Sequence, residues 1–131
     1  MATVGTPNGG LDEIALRTYV NGADLTLVAY QNTADSLDAD TVAADLTQPA
    51  TANGYAPILL DGTWASTNGV VTYTHSTPTH PKWSATGSWG GDVTGAAIIY
   101  GTEVMHFKDL TTAFTAASGK SLTIDLTTLV A

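Results

Sequence analysis

The polar and apolar positions of this chain alternate most cleanly near its end. Leu122, Ile124 and Leu126 take turns with Thr123, Asp125 and Thr127, a period of two that predicts a strand with one face in the core. Leu25, Leu27 and Ala29 repeat the pattern within a strand predicted over Leu25–Gln31. Val70–His75 does so again after Asn68-Gly69, a hairpin-turn dipeptide. Ala96–Tyr100 differs, because its apolar run is unbroken and carries the β-branched Ile98 and Ile99. Such a run predicts a strand buried on both faces. Gly87, Gly90 and Gly91 let the chain bend into it. The stretch Trp83–Tyr100 is therefore read as the centre of the core, with Trp89 at the mouth of its strand and deeper than Trp83.

The remaining elements follow from turn residues and spacing. Tyr55–Asp61 reads as a strand that Pro57 places at an edge or bulge. Asp61-Gly62 turns into Thr63–Ala65, and Thr41–Thr47 reads as a weak strand or a helical turn. Asn32–Asp40 and the proline-bearing Ser76–Lys82 read as loops. In Val104–Lys108, alternation puts Met105 and Phe107 on one face, and Thr111–Lys120 reads as a connection. One stretch has helical spacing: Leu11, Ile14, Ala15 and Tyr19, with Asp12 and Glu13 in the first turn and Asn21-Gly22 as the stop. The sum is a mainly β fold, an antiparallel β-sandwich or jelly roll with one short N-terminal helix. Residues 11–131 form its single domain, and residues 1–10 are a Gly/Pro/Thr/Asn arm without core-forming pattern.

Composition narrows the function. With 131 residues the chain suits one domain, and having no cysteine it offers neither disulfides nor thiolate metal ligands. Charged residues are only 12% of the chain, which suits a surface that meets other protein, since interface cores are depleted of charge. The net charge is −8, and Arg17, Lys82, Lys108 and Lys120 are scattered, so phosphate-neutralising nucleic-acid binding is not expected. No apolar run approaches the length of a membrane span, and residues 1–10 lack the cationic and apolar regions of a secretory signal.

Candidate chemistry is sparse. His75 and His80 flank Ser-Thr-Pro-Thr and are read as two solvated loop histidines with no metal, since His106 follows at no ligand spacing. Asp35, Asp38, Asp40 and Asp45 supply oxygen ligands but lack the glycine and closing glutamate of a calcium loop; a solvated acidic loop is expected. Gly87-Ser88-Trp89-Gly90-Gly91 is neither a phosphate loop nor a nucleophile elbow. The chain is accordingly expected to be no enzyme and to use no cofactor. The aromatics Tyr55, Trp64, Trp83 and Trp89 are the candidate core residues or interface anchors, with sugar stacking as the alternative.

Taken in order, the elements resemble small structural proteins from the virions of tailed bacteriophages. The shared outline comprises the helix Leu11–Val20, the strand Leu25–Tyr30, the acidic loop Asn32–Asp40 and Gly54-Tyr55-Ala56. It continues with the Trp-Gly hairpin into an apolar strand, Trp89–Tyr100, then Met105–Leu110 and Ser118–Leu126. The resemblance implies an interaction module, of the capsid cement or decoration type or of the tail-fibre type. As a cement protein it would bind the major capsid protein on the outer surface of the shell, as a dimer or trimer, after synthesis in the host cytoplasm. The arm residues Thr3, Val4, Thr6, Pro7 and Asn8 would then reach a neighbouring subunit. As a tail-fibre module it would bind a host glycan.

Overall fold

Eight strands and one short 3-10 turn make up the described part of the chain, residues 25–67, 70–74 and 80–126 of a computed structural model. The strands are β1 Thr26–Tyr30, β2 Ile58–Leu59, β3 Thr63–Thr67, β4 Val70–Thr74, β5 Lys82–Ser84, β6 Val93–Tyr100, β7 Glu103–Phe114 and β8 Ser121–Thr123. The fold is mainly β, and every strand pairing is antiparallel. One sheet has four strands in the order β2-β1-β6-β7, while β3 pairs with β4 and β5 with β8. The predicted helix Leu11–Val20 and the arm 1–10 lie outside the described residues.

The strand expected at the centre is there. β6 lies between β1 and β7, and from Gly95 to Ile98 it is buried on both faces. Its neighbour β1 explains how one short strand serves two apolar layers. Leu25, Leu27 and Ala29 join Ile98, Val93, Trp83, Trp89 and Leu126 in the larger cluster, as their alternation predicted. Val28 and Tyr30 point the other way and form a second cluster with Ala97 and Leu46. The larger cluster packs side chains of the four-stranded sheet against residues of β4, β5 and the segment from β8 to Leu126.

The second face is covered by the acidic loop rather than by a strand. Leu37 of that loop and Leu46, just after the 3-10 turn that follows it, pack on the Val28–Tyr30 side of the sheet. Asn32 cinches the base of the loop, donating through Nδ2 to Asp45 O and accepting at Oδ1 from Thr47 N–H. Gln31 N–H also donates to Thr47 O, at 2.7 Å. Of the two readings of Thr41–Thr47, the helical turn holds: Ala43–Asp45 is a 3-10 turn whose preceding Val42 N–H is bonded by the Asp45 carboxylate.

Four expectations need correction. Tyr55–Asp61 contributes only Ile58–Leu59 as a strand; it lies at the sheet edge, where Pro57 pointed. Lys82–Ser84, in part assigned to a loop, is a strand against Ser121–Thr123, too short to carry a periodic signal. Thr111–Phe114 belongs to β7 rather than to a connection. Met105 and Phe107 do not share a face. β7 carries a bulge where the register passes from Ile98↔His106 to Ile99↔Val104, so Met105 is the extra residue and is exposed. Val104 and Phe107 then face the second cluster together. At the end of the described chain, Leu122, Ile124 and Leu126 are buried and alternate with exposed Thr123 and Asp125, as expected, although the paired strand stops at Thr123.

Candidate functional site

The aromatic anchors chosen from sequence converge, and they converge inside the protein. Trp83 is 2% exposed and Trp89 6%, so Trp89 is not the deeper of the two. Tyr55 lies between them, its ring centroid 5.6 Å from Trp83 and 5.3 Å from Trp89, the latter edge-on. Phe114 extends the stack from Trp89 at 5.6 Å. Such geometry suits the ring quadrupoles and adds to the burial of apolar area.

Each polar handle in this cluster is satisfied by backbone or by a neighbouring amide. Trp83 Nε1–H donates to Ala56 O at 2.7 Å and Trp89 Nε1–H to Asn53 O at 2.9 Å. The Tyr55 hydroxyl accepts from Ala29 N–H and donates to Gln48 Oε1. Burial pushes this phenol up to about 12, partly opposed by the Ala29 hydrogen bond. Tyr55, Trp83 and Trp89 thus form core, and none presents a ring to a sugar or a partner. The backbone of Trp64 lies opposite Tyr73 in the β3–β4 pair, and its side chain lies outside the described residues. Thr3, Val4, Thr6, Pro7 and Asn8 lie outside them too.

The glycine-rich loop beside the cluster is a fastening. Asn53 takes a left-handed conformation with φ 53°, and Gly54 follows at φ 88°. A side chain at Gly54 would run into Ser84 O. Asn53 O also accepts from Thr86 N–H, and its Nδ2 donates to Ser88 O, so the 52–55 turn is clasped onto the 84–89 turn. From the other side Gln31 Nε2–H donates to Trp89 O and Gly91 O, each at 3.0 Å. Ser88 Oγ accepts from Gly90 N–H.

The acidic residues are used locally. Asp38 Oδ1 accepts from Asp40 N–H and the Thr41 hydroxyl, and Asp45 closes the turn at Val42. Among the described residues, no group of three or more His, Asp or Glu side chains is placed to hold a metal ion. His80 Nδ1 is buried without a hydrogen-bond partner. The His106 imidazole is held below its ordinary range by burial and by the Lys108 charge. His75 lies outside the described residues.

One polar constellation has no counterpart in the sequence reading. Tyr30, fully buried, crosses Gly95 and donates its hydroxyl to Asp109 Oδ1 at 2.6 Å. Asp109 Oδ2 accepts from Asp35 N–H at 2.7 Å, and Asp35 sits at φ 60°. Burial and the adjacent carboxylate push the Tyr30 phenol far above its ordinary range. A signal for it was present: Gly95 interrupts an otherwise side-chain-bearing strand, which marks a close approach. Two hollows border β7. One, of about 250 Å³, lies among Ala96, Lys108, Asp109, Leu110, Ile124 and Asp125. The other, of about 300 Å³, lies among Asp38, Thr41, Met105, His106 and Phe107. Their walls mix aliphatic and polar groups.

Comparison with protein-family models, with curated proteins and with solved structures gave no match.

Proposed function

We propose that this chain is a non-catalytic structural protein of a tailed-bacteriophage particle, a cement or decoration protein that binds the assembled capsid shell from outside. The observation that carries this reading is the division of its large apolar side chains. Tyr55, Trp83 and Trp89 build the core, whereas Val42, Leu59, Tyr100 and Met105 stay exposed on a chain with only 12% charged residues. Exposed apolar groups on a charge-poor surface suit protein–protein contact.

In this reading the four-stranded sheet and the two strand pairs facing it form a small antiparallel sandwich, with the N-terminal helix attached. The mechanism is adhesive. A protein that binds the assembled lattice better than free subunits stabilises the lattice by mass action. A dimer or trimer at a lattice symmetry axis multiplies weak contacts into avidity. The arm, through Thr3, Val4, Thr6, Pro7 and Asn8, supplies contacts to the neighbouring major capsid protein. The rival, a glycan-binding tail-fibre module, gains no support from Tyr55, Trp83 and Trp89, which are buried.

Co-sedimentation with purified shells tests the proposal. The chain should pellet with assembled shells and not with unassembled capsid subunits, and deletion of residues 2–8 should weaken the pelleting. Absence of binding to shells, together with retention on a glycan array, would replace this reading with its rival.

A further inference from the structure

Three side chains line up across one end of the four-stranded sheet. Tyr100 and Glu103 are direct partners in the β6–β7 hairpin, and Glu103 is bridged in turn to Val42. Residues paired in this way project to the same side, with Cβ atoms about 5 Å apart. The turn joining β6 to β7 is only Gly101-Thr102, and Gly101 takes the positive φ, 60°, that a two-residue hairpin turn demands. Ala43 N–H donates to Thr102 O at 3.0 Å and holds the Val42 bridge in place. Backbone pairing, and not the side chains themselves, thus sets the row Tyr100–Glu103–Val42.

The fold leaves this row open. Tyr100 is 50% exposed, Val42 is 37% exposed, and Glu103 is exposed between them. Among the described residues, neither the Tyr100 hydroxyl nor the Glu103 carboxylate has a hydrogen-bond or ion-pair partner. An aromatic ring beside such a carboxylate, with an aliphatic shoulder, matches a planar cation on a methylene stem.

We propose that Tyr100 and Glu103 form a docking site for an arginine side chain on the surface of a partner protein. The guanidinium donates two hydrogen bonds to the Glu103 carboxylate and lies over the Tyr100 ring, while its stem runs along Val42. Charge complementarity selects this occupant. Asp45, whose carboxylate accepts from Val42 N–H at 2.9 Å, brings a second anion to the border of the row. The chain as a whole carries −8, a field that draws a basic surface toward it. A second copy is repelled by the same charges, and an apolar partner would bury Glu103 without compensation. The site does not depend on which protein carries the arginine, so the shell reading can fail without it.

Titration of the full-length chain with the peptide acetyl-Leu-Arg-Leu-amide, followed through backbone amide NMR shifts, tests the site. The amides of Glu103, Val104, Met105, Val42 and Ala43 should shift saturably, and added salt should weaken the binding. The citrulline analogue, equal in shape but uncharged, should bind about tenfold more weakly or worse. Glu103→Gln should weaken the arginine peptide about tenfold, and Tyr100→Leu, which keeps apolar area but removes the ring, about threefold. Both positions are exposed, so both variants should keep a near-native melting temperature. Absence of shifts at Glu103–Met105, equal binding of the citrulline peptide, or shifts confined to residues 35–40 would overturn the proposal. So would self-association of the chain alone that Glu103→Gln abolishes, since the occupant would then be a second copy.

Discussion

The Tyr30 hydroxyl donates to Asp109 Oδ1 at 2.6 Å, linking residues 79 positions apart. Through this bond β1 reaches over β6 to β7, and the same carboxylate holds the Asp35 turn of the acidic loop. Removing only the hydroxyl, by Tyr30→Phe, leaves the ring packing and strands one carboxylate oxygen. The expected cost is about 1–3 kcal/mol, read as a lower urea midpoint at unchanged slope. A change within error would show that Asp109 is satisfied by water instead.

Gly95 lies beneath that ring. A Cβ there would overlap the Tyr30 phenol and approach the Lys108 carbonyl, which is backbone and has no room to move. Gly95→Ala should therefore cost about 3 kcal/mol, the upper part of the usual range for overpacking. Calorimetry of the purified variant checks this, and a near-native melting temperature would contradict the crossing geometry.

Ile124→Ala should destabilise by roughly 2–5 kcal/mol, because Ile124 is buried against the larger cluster and its removal leaves a cavity. Thr123→Ala beside it, on the exposed side, should stay within about 0.5 kcal/mol. Equal effects at the two positions would mean that alternation does not mark the core here.

The tryptophans give an optical test. In a Trp64→Phe background, acrylamide should quench Trp83 and Trp89 only weakly, since both are enclosed and their indole N–H groups are bonded to backbone carbonyls. Strong quenching of either would return the stacking-platform reading.

His106 sets a pH dependence of known sign. Its folded-state pKa lies below the ordinary 6.5, through burial and then Lys108. As the pH falls through 6.5 the unfolded chain takes up a proton that the folded chain resists, so stability declines toward the folded-state pKa and levels off below it. His106→Gln should flatten this part of the stability curve. An unchanged difference in melting temperature between neutral and mildly acidic buffer would exclude the effect.

How much of this was legible in the sequence follows from what each feature depends on. Ala96–Ile99 and the Leu25, Leu27, Ala29 series were readable because burial of a strand face writes itself into local composition. The bulge at Met105 was not, because it is a property of pairing with β6 and leaves the β7 sequence looking regular. The depth of Trp83 was hidden for a similar reason: it depends on β8, some forty positions away. Tyr30 was read only as the end of a strand, since the meaning of Gly95 emerges once the two strands are side by side.

The Asn53–Gly54 clasp also ties the fold to chemical ageing. An asparagine followed by glycine is prone to cyclise through the glycine nitrogen and reopen as aspartate or isoaspartate, because glycine has no Cβ to shield that nitrogen. Here the amide that would be lost is the donor to Ser88 O, and an anionic oxygen in its place would face a carbonyl. The same residue carries the carbonyl that receives Trp89 Nε1–H. Deamidation at one surface turn would therefore reach the aromatic centre of the molecule directly, making that amide a clock for the durability of the protein.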